Sequence, residues 1–272
     1  AQLLFDLLSE IDANNASGEL YLTDVIGKAV GRGLSCTAIR CAERETLGVN
    51  SRVELMQAEK EFQTLRRAEA LEDGISMPAP ETVHFSYDTV IGRDAIIEQN
   101  VVFGPGVKVE SGAQIRAFSH LEGAHVARGC VVGPYARLRP GAELAEDVKI
   151  GNFVEIKAST LDEGAKVNHL SYIGDAHIGA RANIGAGTIT CNYDGVMKHY
   201  TSIGEAAFIG SNTMLVAPIT VGQDAMTASG SVITRDVPAG DLAIARSKQD
   251  NKAGFSVKLM NKLRALKAAK QN

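Results

Sequence analysis

From about residue 90 onward the chain keeps a beat of six. Aliphatic or similar residues stand at 91, 97, 103, 109, 115 and 121, and after a one-residue slip at 126, 132, 138, 144, 150 and 156. Further slips give 161, 167 and 173, then 178, 184 and 190, then 203, 209, 215, 221, 227 and 233. Of these 24 positions only Thr190 and Thr227 are not hydrophobic, although the 45% hydrophobic composition would give about eleven matches. Neither the 3.6-residue period of a helix nor the alternation of a strand makes this pattern; hexapeptide repeats of a parallel β-helix do. Each hexad is then a short strand and turn with its aliphatic on the axis. Glycine often follows the aliphatic, as IG at 91, 150, 173, 178, 184, 203 and 209. Three hexads close one triangular coil, so the pattern predicts about eight coils stacked at the ~4.8 Å sheet spacing, a solid rod of about 40 Å.

Upstream the rhythm is helical. AQLLFDLLSEID places apolar residues at 3, 4, 7, 8 and 11, and YLTDVIGKAVGRG follows after the turn-forming ANNASGE. Residues 1–50 are too few to bury much core alone, so they are expected to be part of a larger domain. SRVELMQAEKEFQTLRRAEALED, residues 51–73, lacks Gly and Pro, and Ser51 and Glu54 have capping-box spacing. It predicts a long, charged connecting helix, with GISMPAP as a linker completing segment 51–79. The β-helix would occupy 80–250. Within it, CNYDGVMKHYTS sets core positions 190 and 203 one step further apart than two hexads allow, and NYDG signals an ejected loop. The tail 251–272 has six basic residues, no acidic one, and a helical stripe of Phe255, Leu259, Leu263 and Leu266.

A net charge of -4 gives no reason to expect nucleic acid. No apolar run approaches a membrane span and no signal-peptide order opens the chain, so stable membrane association is not expected. Cys36, Cys41, Cys130 and Cys191 form no CxxC pair, which fits reduced thiols in the cytoplasm.

A solid rod has no internal pocket, so chemistry must lie on its outside or between rods. Arg139 and Lys157 stand three hexads apart, one coil if no slip intervenes, which would stack two cations. A fork and a point charge suit a phosphate; a solvated cation ladder is the plainer alternative. His169, two hexads beyond Lys157, is a candidate proton acceptor or simply a hydrogen-bonded surface histidine. His120 and His125 resemble the zinc-ligand spacing of the β-helical carbonic anhydrases, but a third ligand is needed and His84 is not at a simple repeat distance.

The strings RLRPGAEL, GNFVEIK, NHLSYIGDA, NIGAGTITCNYDG, FIGSNTMLVAP and SVITRDVPAGDLAIAR together closely resemble a bacterial family. It is the bifunctional N-acetylglucosamine-1-phosphate uridyltransferase/glucosamine-1-phosphate N-acetyltransferases. GELYLTDVIGKAV and LGVNSRVEL resemble the end of the family's uridyltransferase domain, so 1–50 would be its α/β remnant. The resemblance implies a left-handed parallel β-helix, against the usual crossover hand, and a homotrimer with acetyl-transfer sites between rods. It implies acetyl-CoA and glucosamine-1-phosphate as substrates, on the route to UDP-N-acetylglucosamine for peptidoglycan and lipopolysaccharide.

Residue by residue, His169 resembles the general base, and Arg139, Lys157 and Lys198 the sugar-phosphate cations. Tyr172 and Asn183 match sugar contacts. Asn192, Tyr193, Ala186, Ser211 and Arg246 fall at acetyl-CoA positions, and Ser229 stands where the family often has alanine. Asn50 matches a ligand of the Mg²⁺ that serves the uridyltransferase site of the full-length proteins. No LAAGxGTRM-type nucleotide loop occurs in this sequence, so uridyl transfer is not expected of these 272 residues. Two other classes remain open at this point: a zinc-dependent hydratase on the same rod, and a non-catalytic trimerisation rod.

Overall fold

The computed structural model describes residues 2–270; Ala1, Gln271 and Asn272, at the outer ends of segments 1–50 and 251–272, lie outside the described residues. The chain divides into two compact units, 1–61 and 62–272. In the first, α1 (Gln2–Leu8) meets α2 (Asp24–Gly31), burying Leu7 and Ala29 while Phe5, Leu22 and Ile39 stay exposed. The third helix, α3 (Arg52–Glu72), starts where the capping-box spacing placed it. Ser51 Oγ accepts the Glu54 N–H at 3.2 Å, and the Glu54 carboxylate accepts the N–H groups of Ser51 at 2.9 Å and Asn50 at 2.5 Å.

The second unit is a parallel β-helix. Most strands pair with partners three hexads further along the chain, or one step short of that, as in Val90↔Lys108, Glu155↔Tyr172 and Phe208↔Met226. Each coil turns through three faces. In one coil Ala142–Leu144 lies on the first face and Lys149–Asn152 on the second, and Glu155–Leu161 crosses the third before bending onto the first again. Of the 24 positions on the six-residue beat, all are buried except Ile91, which is half-buried. At about 1.5–3 kcal/mol for a fully buried aliphatic, this column dominates the stability of the rod.

The two threonines in the column are accommodated by hydrogen bonds. Thr190 Oγ1 accepts the Gly174 N–H at 2.8 Å and donates to the Gly174 carbonyl at 3.0 Å, while Thr227 Oγ1 accepts the Gly210 N–H at 3.0 Å. A second buried position, two residues before each aliphatic, is absent from the sequence reading. Ala95, Cys130, Ser159, Ala182 and Thr213 occupy it, small enough to fit the corner of a triangle.

The structure also revises three local readings. GISMPAP is not a free linker: Ile75 and Met77 are buried, and the Ser76 N–H donates to the Ala95 carbonyl at 2.9 Å, so these residues close the start of the rod. The second half of α3 packs there too, with Gln63 Nε2 donating to the Phe85 carbonyl at 2.6 Å and the Phe85 N–H returning to Gln63 Oε1 at 2.9 Å. The ejected loop is larger than a one-residue excess. Core positions 190 and 203 lie on neighbouring faces, and Ala176 pairs across the loop with Thr201, where an uninterrupted coil would return near position 194. More than a whole hexad beyond an ordinary coil is therefore extruded. His84 does keep the repeat, because His84↔Val102 and Val102↔His120 are successive partners.

The tail forms α4 (Phe255–Ala269), whose side chains are exposed. No helix among the described residues is long and apolar enough to cross a membrane.

Candidate functional site

Coil geometry sorts the candidate residues along the two edges of the third face. Where the chain leaves that face, at the bend near Gly174 and Asp175, Leu138 pairs with Ile156 and Lys157 with Gly174, so Arg139 and Lys157 occupy neighbouring rungs. Arg139 donates to Glu155 Oε1 at 2.8 Å, and Lys157 Nζ lies 3.3 Å from Asp175 Oδ2. The ejected loop delivers a third cation, Lys198, against Lys157. The two amines influence each other: contact with Lys157 and its charge hold Lys198 below the usual lysine range, while the Lys198 amine and then Asp175 raise Lys157. Asn192, nearly buried, donates to Asp175 and reaches the Tyr172 hydroxyl at 3.4 Å. Arg139, Lys157, Tyr172, Asn192 and Lys198 thus form one cluster.

Where the chain enters the third face, a second set follows a corner of the rod. Asn152 is the register partner of His169, the Gly187 N–H donates to the His169 carbonyl at 3.2 Å, and the Asn212 N–H donates to the Ala186 carbonyl at 2.7 Å. The Gly230 N–H donates to the Ser211 carbonyl at 2.8 Å, and the Arg246 guanidinium to the Ser229 carbonyl at 2.7 Å. His169, Ala186, Ser211, Ser229 and Arg246 therefore rise as one column over four rungs, about 19 Å at the sheet spacing. Because Ser229 engages Arg246 through its backbone, an alanine there would keep that bond.

His169 is exposed, and its Nδ1 lies 2.7 Å from Asn152 Oδ1. An amide oxygen only accepts, so Nδ1 is the donor in this pair, and in the neutral imidazole that leaves the lone pair on Nε2. Asn152 was missed in the sequence reading, as was Asp175. The signal in each case is a partner one coil away, His169 for Asn152 and Lys157 for Asp175.

Two candidates lie apart. Asn183 sits on the second face between Lys166 and Phe208, while exposed Tyr193 is in the loop with its hydroxyl donating to the Gly195 carbonyl at 2.6 Å. Below His169 the same corner carries an exposed stack: Phe118 and Tyr135 rings 4.8 Å apart, Tyr135 and Phe153 5.3 Å apart, then Leu170.

The metal readings find little to stand on. Among the described residues no group of three or more His, Cys, Asp or Glu side chains is arranged to hold a metal ion. His120 and His125 lie on different faces, and His125 is held between Glu110 at 2.9 Å and Glu143 at 3.3 Å. Asn50 is exposed in the first unit beside a Glu54 carboxylate already engaged in capping, a donor set that does not fit Mg²⁺. The four cysteines are free; burial pushes the Cys130 thiol up to about 11 and raises Cys191 as well, away from the reactive thiolate.

The architecture is that of the hexapeptide-repeat proteins, and residues 200–235 match the family described as the hexapeptide repeat of succinyl-transferase. Over 99% of its length the chain is a close sequence relative of proteins named Bifunctional protein GlmU. It is 64% identical over 270 residues to that of Jannaschia strain CCS1, covering 60% of that relative. It is 66% identical over 270 residues to that of Ruegeria strain TM1040, again covering 60%. The chain thus spans about three-fifths of these relatives, and over that portion the resemblance read from its motifs is borne out. Among solved structures, a UDP-N-acetylglucosamine acyltransferase from Campylobacter jejuni aligns with 64% of this chain and 70% of its own, at 16% identity and a TM-score of 0.34.

Proposed function

We propose that the chain acts in the cytoplasm as a homotrimeric, acetyl-CoA-dependent N-acetyltransferase of glucosamine-1-phosphate. The observation that carries the reading is the third face itself, bordered on one edge by His169 and its corner column and on the other by three clustered cations. An elongated thioester fits the column, and the cations fit the phosphate of the sugar.

In this reading His169 Nε2 takes a proton from the sugar's 2-ammonium, whose freed lone pair then attacks the thioester carbonyl. The Ala186 N–H is assigned to the developing oxyanion. As the C–N bond forms, the C–S bond breaks and CoA thiolate leaves. The nitrogen gives up two protons in all: the first, held on His169, passes to solvent, and the second, released as the tetrahedral adduct collapses to the amide, goes to the departing sulfur or to water. Both cysteine thiols near the rod are disfavoured as acyl carriers, so transfer is direct rather than through an acyl-enzyme. Asn183 lies on a different face from the cations, and a second rod against the corner would bring faces of two chains to one site. The exposed Phe118–Tyr135–Phe153–Leu170 ladder supports such a contact, because aligned apolar surface is costly to leave in water.

A thiol-release assay with acetyl-CoA tests the assignment. Turnover with glucosamine-1-phosphate should far exceed that with glucosamine; equal use of the two sugars would sink the phosphate site. Arg139→Ala should raise the KM for the sugar phosphate by about tenfold, the scale of one lost charged hydrogen bond.

The lowered Lys198 predicts a pH effect of definite sign. At pH values above its depressed pKa and below the ordinary lysine value of about 10.4, Lys198 is neutral in the free protein. Binding a phosphate dianion there must draw in a proton, so sugar-phosphate KM should climb with pH through that window. A KM flat up to the ordinary lysine range would show that the three cations do not share the anion.

A further inference from the structure

Between Cys191, which still pairs with Val216, and Thr201, the loop forms no rung of the β-helix, yet it places one lysine beside another. Lys198 stands against Lys157, with the Lys157 charge repelling it, Asp175 drawing it in and Arg139 adding a weaker repulsion. On its flexible, exposed stem the ammonium can turn to water unless the loop around it is held. The loop's own bonds converge on one carboxylate: Asp194 Oδ1 accepts the N–H groups of Val196 at 2.8 Å and Met197 at 2.7 Å, and Oδ2 faces His199 Nε2 at 2.6 Å. The His199 N–H donates to the Asn192 carbonyl at 2.8 Å, and Tyr193 and Lys198 form an antiparallel bridge. Val196 and Met197, at the tip, are 86% and 61% exposed, so packing does not fix the hairpin.

We propose that Asp194 and His199 are positioning residues, a clasp that closes the loop and holds Lys198 beside Lys157 at the sugar-phosphate site. The inference rests on the phosphate reading above. In that reading neither residue is assigned a contact with the sugar phosphate. His199, next in sequence to Lys198, ties the second strand of the hairpin to Asp194 in its first, so breaking the pair frees the segment that carries the ammonium. The hydrogen bond to His199, ahead of those from the Met197 and Val196 N–H groups, holds the Asp194 carboxyl well below the usual carboxylate range, which keeps it ionised and accepting.

The test uses the whole chain. Asp194→Ala and His199→Leu should each raise the KM for glucosamine-1-phosphate about tenfold, the worth of a charge-assisted contact, with kcat little changed. Lys198→Ala should do the same, and adding Asp194→Ala to it should cost nothing more, since the clasp acts only through Lys198. His199→Gln, which retains a donor for Asp194, should restore most of the affinity. Effects that multiply in the double variant, or a loss in kcat with unchanged KM, would overturn the clasp. A readout without substrate separates this from the phosphate reading: trypsin should cut after Lys198 at least about tenfold faster in Asp194→Ala than in the parent chain. Equal cutting rates would overturn the clasp even if the phosphate site stands. If no turnover occurs with glucosamine-1-phosphate in the parent chain, the function reading falls, and the proteolysis result alone decides the clasp.

Discussion

Replacing His169 with alanine is expected to leave the rod folded and to lower acetyl transfer by at least about 10²-fold, some 2.7 kcal/mol of transition-state stabilisation. The fold should survive because His169 is exposed and its one side-chain bond is to Asn152. Surface changes of this kind cost about half a kcal/mol or less. The activity should not survive, because Nε2 is the ring nitrogen that Asn152 leaves unengaged, at the junction of the column and the third face. Asn152→Ala should fall between the two: the imidazole remains but loses the partner that sets its tautomer. Thermal melts and thiol release measured together decide the matter. Near-normal turnover in His169→Ala would remove it from the mechanism, and a collapsed melting temperature would make it a structural residue.

Gly151→Ala should be the most damaging small substitution in the rod. A Cβ there would overlap the Asn168 carbonyl oxygen and lie 2.6 Å from its carbon, with backbone rather than a flexible side chain in the way. Two adjacent coils approach each other too closely for any side chain but hydrogen. Relief requires the Asn168 peptide to move, and His169 is its neighbour. Overpacking of this kind costs about 3 kcal/mol or more, and at roughly 2–4 °C per kcal/mol the melting transition should fall by about 6–12 °C. Activity should drop as well, since the Asn152–His169 pair straddles the same contact. Gly48→Ala is the control: nothing lies within 4 Å of its Cβ, and its stability should be unchanged within about half a kcal/mol. Equal melting of Gly151→Ala and the parent would mean that the coils are less closely stacked there.

Much of the rod was legible because one side chain in six must point inward, and burial of large aliphatics is the strongest pattern a sequence carries. The second inward position was not, because Ala95, Ser159 and Thr213 are residues that also serve on surfaces. Ile75 and Met77 were hidden by their glycine- and proline-rich setting, which signals a turn whether or not it is buried. In the candidate site, Lys157 was found from its three-hexad distance to Arg139, while Asp175, at the same distance beyond it, went unnoticed. Asn152 could be paired with His169 only once the shorter coil between them was fixed. The loop's size was misjudged for a related reason: a count of hexads does not say which face a residue occupies, and 190 and 203 proved to be on consecutive faces.

Pairing one coil ahead and one coil behind makes the β-helix nearly a one-dimensional crystal, in which each coil binds only its two neighbours. Damage in such a chain need not spread. A weakened coil can open while those on either side stay closed, so melting followed at separate heights of the rod should give separate midpoints. The pairings that cross the loop, such as Ala176 with Thr201, close 25 residues where the other coils close 16 to 18, the longest spans between paired strands among the described residues. That coil is the natural domain wall, the place where ordered segments growing from the two ends would meet last.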